Sequence, residues 1–174
     1  MHGIIFGHFC PMYLGHRKII DIARRDCDNV SVVVCGYPGD NPIPGLDVVT
    51  RAHLVAQEMQ TVYNLFGKIP ETLSFDLVEQ GIEDNRTYNN WCKFADAIVN
   101  SCHIFSQPVV FYVDQPEYVK PLLSIRYQAK DMSRHVPKVE ARLLRDNPTG
   151  YFDLLVPTFA EYYRHHQLNG LGEV

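Results

Sequence analysis

The chain of 174 residues is 46% apolar and 21% charged, ordinary globular values that exclude disorder, collagen-like repeats and coiled coil. Sixteen Lys and Arg against twenty Asp and Glu leave a formal net charge of −4, so the chain as a whole is no electrostatic partner for nucleic acid. Cys10, Cys27, Cys35, Cys92 and Cys102 are odd in number and form no C-x₂₋₄-C pair; with no apolar run of membrane-spanning length and no signal-like start, they predict a cytoplasmic protein with no membrane segment.

Residues 3–6 are a short apolar run that stops at Gly7, and a helical pattern with Ile19, Ile20 and Ala23 begins near Leu14 or Gly15. Residues 30–35 (Val-Ser-Val-Val-Val-Cys) are β-branched and nearly all apolar, as expected of a strand covered on both faces of a parallel sheet. After a Pro/Gly loop at 36–47, Thr50 can cap a helix whose Ala52, Val55, Met59, Val62 and Phe66 recur every three or four residues, with Gly67 placed to end it. Residues 72–78 read as a third strand. Residues 88–102 read as a helix with Trp91, Ala95, Ile98 and Cys102 on one stripe, and 109–113 as a fourth strand. Asp114 and Pro116 start a short helix, a strand lies near 127–130, and residues 139–166 are helical with a break at Pro148. The alternation predicts one α/β domain over residues 1–167, a doubly wound, Rossmann-like parallel sheet, followed by a loose, Gly-containing tail at 168–174.

Ligands of such sheets lie beyond the carboxyl ends of the strands. The loop after the first strand reads Gly7-His8-Phe9-Cys10-Pro11-Met12-Tyr13-Leu14-Gly15-His16. Gly7 and Gly15 allow a ligand close to the backbone, and the helix that follows offers free N–H groups and a positive dipole end to an anion. His16, in its first turn, either adds a donor there or packs at the helix start.

This loop resembles the G-x-F-x-P-x-H-x-G-H signature of the nucleotidyltransferase α/β-phosphodiesterase superfamily at Gly7, Phe9, Pro11, Gly15 and His16. It is most similar to the adenylyltransferase domain of NadR-type proteins. Further similarities run through residues 32–40, the helix carrying Arg51, the string Tyr88-Asn89-Asn90-Trp91, residues 131–134 and residues 144–148. The resemblance implies transfer of AMP from ATP to nicotinamide mononucleotide, giving NAD and pyrophosphate, with Mg²⁺ accompanying ATP. It implies phosphate or nucleotide contacts from Gly7, His8, Phe9, Gly15, Arg142 and Arg145, catalytic roles for His16 and Tyr13, and an acceptor pocket of Trp91, Asn89 and Asn90. Trp91 would stack on the nicotinamide ring, a use of its π-face that competes with a core position. No metal ligands among the side chains are expected, because His53, His103, His135, His165 and His166 lack metal-ligand spacing.

Two positions depart from the pattern. Tyr13 stands where the family has the first His of H-x-G-H. Val139-Glu140-Ala141-Arg142-Leu143-Leu144-Arg145 replaces the phosphate-binding I-S-G-T-x-I-R and keeps only its last Arg. No G-x-x-x-x-G-K-[ST] occurs, so no kinase activity is expected of this chain.

The implied chemistry needs no protein base, since a phosphate monoester with a second pKa of roughly 6 is already ionised at pH 7. It needs in-line positioning and donors for the charge that develops on pyrophosphate. Two other functions fit the departures: a catalytically impaired nucleotide- or dinucleotide-binding sensor or regulatory module, and a nucleotidyltransferase of altered substrate specificity.

Overall fold

The structure is a computed structural model and describes residues 1–37, 45–65, 67–82, 88–104, 106–135 and 148–170, without the side chains of residues 88–89, 148–149 and 167–170. Five parallel strands form one sheet: β1 (His2–Gly7), β2 (Asn29–Gly36), β3 (Glu71–Asp76), β4 (Val109–Val113) and β5 (Gln128–Asp131). Their spatial order is β3-β2-β1-β4-β5. Among the described residues, five α-helices accompany them: α1 (Leu14–Asp26), α2 (Val48–Tyr63), α3 (Tyr88–Ser101), α4 (Val119–Ser124) and α5 (Pro157–Gly170). This is the doubly wound α/β architecture that the alternation predicts.

The sheet separates two cores. On one face Ile5, Val32 and Val34 pack with Ile19, Ile20 and Ala23 of α1, Val55 and Met59 of α2, and Phe159 of α5. On the other, Ile4, Phe6, Val33 and Phe111 pack with Trp91, Phe94, Ala95 and Ile98 of α3 and Leu122 of α4. Adjacent residues of β1 and β2 thus serve opposite cores, which is why these strands are almost continuously apolar.

Three local features differ from the sequence reading. Asp47, not Thr50, caps α2: its Oδ1 accepts the Thr50 N–H at 2.8 Å, so Thr50 supplies the third-position donor of the capping pattern. That helix ends at Tyr63, and Gly67, at φ +100°, lies beyond it. At the C-terminal end α5 continues to Gly170, so residues 168–170, read as the start of the loose tail, are helical. The stretch 136–147, within the region read as helical from 139, lies outside the described residues.

Candidate nucleotide site at the head of the first helix

The strand order places β1 between β2, reached through α1, and β4, which begins the other half of the sheet. The loop leaving β1 therefore stands at the topological switch point, where open α/β sheets bind ligands. Within it, Gly7 is bounded only loosely: a Cβ there would meet nothing nearer than the Phe9 ring at 3.6 Å. Phe9 takes the left-handed φ of +48° and is 2% exposed. A non-glycine residue held there costs on the order of 1–3 kcal/mol, which the burial of its ring offsets.

Tyr13 and His16 form a reciprocal pair across the first turn of α1. The Tyr13 N–H donates to Nδ1 of His16 at 3.2 Å, and the His16 N–H donates to the Tyr13 carbonyl at 3.0 Å. Their rings lie 3.9 Å apart, with Phe9 on His16 at 4.9 Å. His16 is half-buried, and burial pulls its pKa down to about 3, so the imidazole is neutral at pH 7. Because Nδ1 is an acceptor, the proton resides on Nε2, which is left as a donor. Burial, with the Asp114 charge adding, pushes the Tyr13 hydroxyl up to about 12, so it also stays protonated. Both side chains are thus neutral, and the His16 ring is an imidazole, not an imidazolium.

Tyr13 is also tied from behind. It forms an antiparallel bridge with Leu155, and the Val156 N–H donates to the Met12 carbonyl at 3.3 Å. Where the family signature has its first His, this chain has a side chain 8% exposed and packed into the core.

The remaining predicted residues divide. Gly15 is buried in the first turn of α1 and His8 is exposed. Trp91 is 5% exposed, with Phe94 edge-on at 5.7 Å, Tyr118 tilted at 5.1 Å and Phe6 edge-on at 6.5 Å. Since Phe6 directly precedes Gly7, Trp91 is brought to the carboxyl end of β1, but inside an aromatic cluster. Asn90 is partly exposed on α3. The Asn89 side chain, and Glu140, Ala141, Arg142 and Arg145, lie outside the described residues.

One residue was missed as a site member. Asp114 directly follows β4, across the switch point from the loop, and burial raises its carboxyl above the usual carboxylate range, with Glu117 adding to the shift. Its signal in the sequence was an acidic residue closing an apolar strand, which reads equally well as a turn former.

Arg51 fixes the next loop. Fully buried, it donates to the carbonyls of Leu46 at 2.9 Å and Cys35 at 3.4 Å. A Cβ at Gly36 would stand 2.6 Å from its Nη2 and 3.0 Å from the Val48 Cβ, so a larger residue there would displace the guanidinium from its carbonyls. A cavity of about 700 Å³ opens at the amino ends of β1, β2 and β3, lined by His2, Arg24, Asn29, Lys68, Glu71 and His103 among others. It contains none of the loop residues, and the switch-point argument does not reach it.

The fold so built is a doubly wound, Rossmann-like α/β sheet, and solved structures of similar fold are known. A NadR protein in complex with NR superposes with a TM-score of 0.69 at 24% identity, over 91% of this chain and 44% of that one. A NadR protein with NAD and AMP-PNP gives 0.67 at 23%, over 91% and 45%. A bifunctional NMN adenylyltransferase/ADP ribose pyrophosphatase from Francisella tularensis, complexed with AMP and a Mn ion, gives 0.57 at 13%, over 90% and 43%. The chain therefore shares its fold with these structures and spans less than half the length of each of these chains. No protein-family model and no curated protein matches it.

Proposed function

We propose that the protein transfers AMP from ATP to nicotinamide mononucleotide. A phosphate oxygen of the mononucleotide attacks the α-phosphorus of ATP, the bond to the β-phosphate oxygen breaks, and NAD and pyrophosphate leave. The observation that carries this reading is the loop at the switch point, open at Gly7, with the Nε2–H of His16 as a fixed neutral donor at the head of α1. His16 and Tyr13 would donate to the phosphates, and Arg142 and Arg145 would supply the positive charge that the neutral pair lacks. Asn89 and Asn90 would read the carboxamide, and Trp91 would meet the nicotinamide ring on rearrangement of the cluster around it. Mg²⁺ would enter with the ATP phosphates, since among the described residues no group of three or more His, Cys, Asp or Glu is placed to hold a metal. We place the activity in the cytoplasm, in keeping with the five free cysteines. Among the described residues no helix is long and apolar enough to cross a membrane.

A second reading, nucleotide binding without transfer, is favoured by Tyr13, whose side chain is 8% exposed within the core and whose backbone is bridged to Leu155. Incubation with ATP, Mg²⁺ and either nicotinamide or nicotinate mononucleotide separates the two. Adenylyl transfer yields dinucleotide and pyrophosphate in equal amounts. ATP binding with neither product assigns the chain to the sensor class, and pyrophosphate without dinucleotide points to another acceptor.

A further inference from the structure

We propose that Glu58, on the second helix, is the positioning residue that holds the Tyr13–His16 loop in its ligand-ready form. The proposal takes the identity of that loop from the adenylyl-transfer reading, and its own support is a set of contacts that converge on one buried carboxylate.

Glu58 is 1% exposed. A carboxylate so enclosed is costly unless its oxygens are occupied, and here both are. Oε2 accepts the Thr158 N–H at 3.2 Å and the Thr158 hydroxyl at 2.6 Å. Oε1 accepts from Nη1 of Arg17 at 3.4 Å. Thr158 is the second residue of α5, whose first-turn N–H groups have no partner within the helix. Val156 precedes that helix and has no side-chain oxygen to cap it, so the carboxylate of α2 does so from outside, favoured by the positive end of the helix dipole. Arg17 directly follows His16 in the first turn of α1. One side chain of α2 therefore clamps two helix heads at once.

Immediately before α5, Leu155 and Val156 make the backbone contacts to Tyr13 and Met12 that hold the loop from behind. Thr158 is two residues from Val156, so a shift at Thr158 reaches the Met12 carbonyl through a short stretch of chain that includes the stiff Pro157. Among the described residues no hydrogen bond joins Glu58 to Tyr13 or His16. It acts through Thr158 on one side and Arg17 on the other.

His16 reports the outcome, because its pKa is depressed by burial and the Phe9 and Tyr13 rings of the loop lie against it. In a ¹⁵N-histidine NMR titration from about pH 8 to about pH 4.5, His16 of the natural protein is expected to remain neutral throughout. In Glu58→Gln, which keeps the size but not the charge, the loop loosens, water reaches the ring, and His16 titrates within that range. ATP affinity falls about fivefold or more while far-UV circular dichroism is unchanged. Thr158→Val removes the hydroxyl donor alone and is expected to act in the same direction, whereas Thr158→Ser keeps it and restores the natural titration. A folded Glu58→Gln whose His16 stays neutral overturns the proposal; should that variant not fold, the same result in Thr158→Val does so. The titration uses no nucleotide. A natural protein that binds neither ATP nor mononucleotide counts against adenylyl transfer alone, while an unmoved His16 counts against the role of Glu58 alone.

Discussion

Replacing His16 tests structure and chemistry together, because its two ring nitrogens do different work. Truncation in His16→Ala removes the Nδ1 acceptor of the Tyr13 N–H, worth about 1 kcal/mol, and two ring contacts worth about 0.5–1.5 kcal/mol each, so urea denaturation should show a loss of about 2–4 kcal/mol. It also removes the Nε2–H, and losing one preorganised phosphate donor lowers kcat about 10²–10³-fold with a smaller change in KM. His16→Asn separates these effects. Its Oδ1 can take the place of Nδ1 and accept from Tyr13, recovering about 1 kcal/mol, while nothing replaces Nε2, so the rate stays low. The assay is pyrophosphate release beside urea denaturation for all three proteins. A His16→Asn enzyme with kcat within about threefold of the natural one would refute the assignment of Nε2 as the donor. The pair also has a pH signature. His16 has a folded pKa near 3 against an unfolded value of 6.5, so the unfolded chain binds the extra proton first. Its contribution to stability is complete above about pH 6.5 and is lost as pH falls toward about 3. Burial holds His2 below its ordinary value as well, so the measurement is the difference between the natural protein and His16→Asn, whose slope in that window should be shallower.

Gly36→Ala should cost about 2–4 kcal/mol by urea denaturation, because the new methyl group collides with Nη2 of Arg51 at 2.6 Å and with Val48 at 3.0 Å; stability within about 0.5 kcal/mol of natural would show that Arg51 is not held as described. Trp91→Ala should lose about 3–5 kcal/mol, as expected for a large aromatic removed from a packed cluster. Trp91→Phe should remain folded and, by isothermal calorimetry, bind nicotinamide mononucleotide about threefold or more weakly with ATP affinity unchanged, whereas equal losses for the two ligands would assign Trp91 to the core alone.

The strands were legible because β1 and β2 feed two cores and so carry almost unbroken apolar runs. In α2 the three- and four-residue spacing found Val55 and Met59, but the buried face also holds Arg51 and Glu58, which composition assigns to solvent. The carbonyls of Cys35 and Leu46 and the donors of Thr158 and Arg17, which helical spacing does not reveal, help to make those positions tolerable for charge. For the site, the loop was legible through glycine spacing and a helix start, while the neutrality of His16 was not. That neutrality comes from burial, with the rings of Phe9 and Tyr13 lying against it, and the turn at Phe9 that helps to bring them there has a backbone angle that sequence pattern does not reveal.

The bridge between Tyr13 and Leu155 also orders events in time. Residues near the two ends of the chain must meet before the loop after β1 is complete, and such distant pairings form late because the chain entropy lost in closing them is large. As the protein is synthesised, β1 to β5 can assemble while Met12 and Tyr13 still lack their partner strand. The loop after β1 would then gain its backing only once Leu155 and Val156 have been made, so a chain cut before them would carry the sheet with Met12 and Tyr13 unsupported.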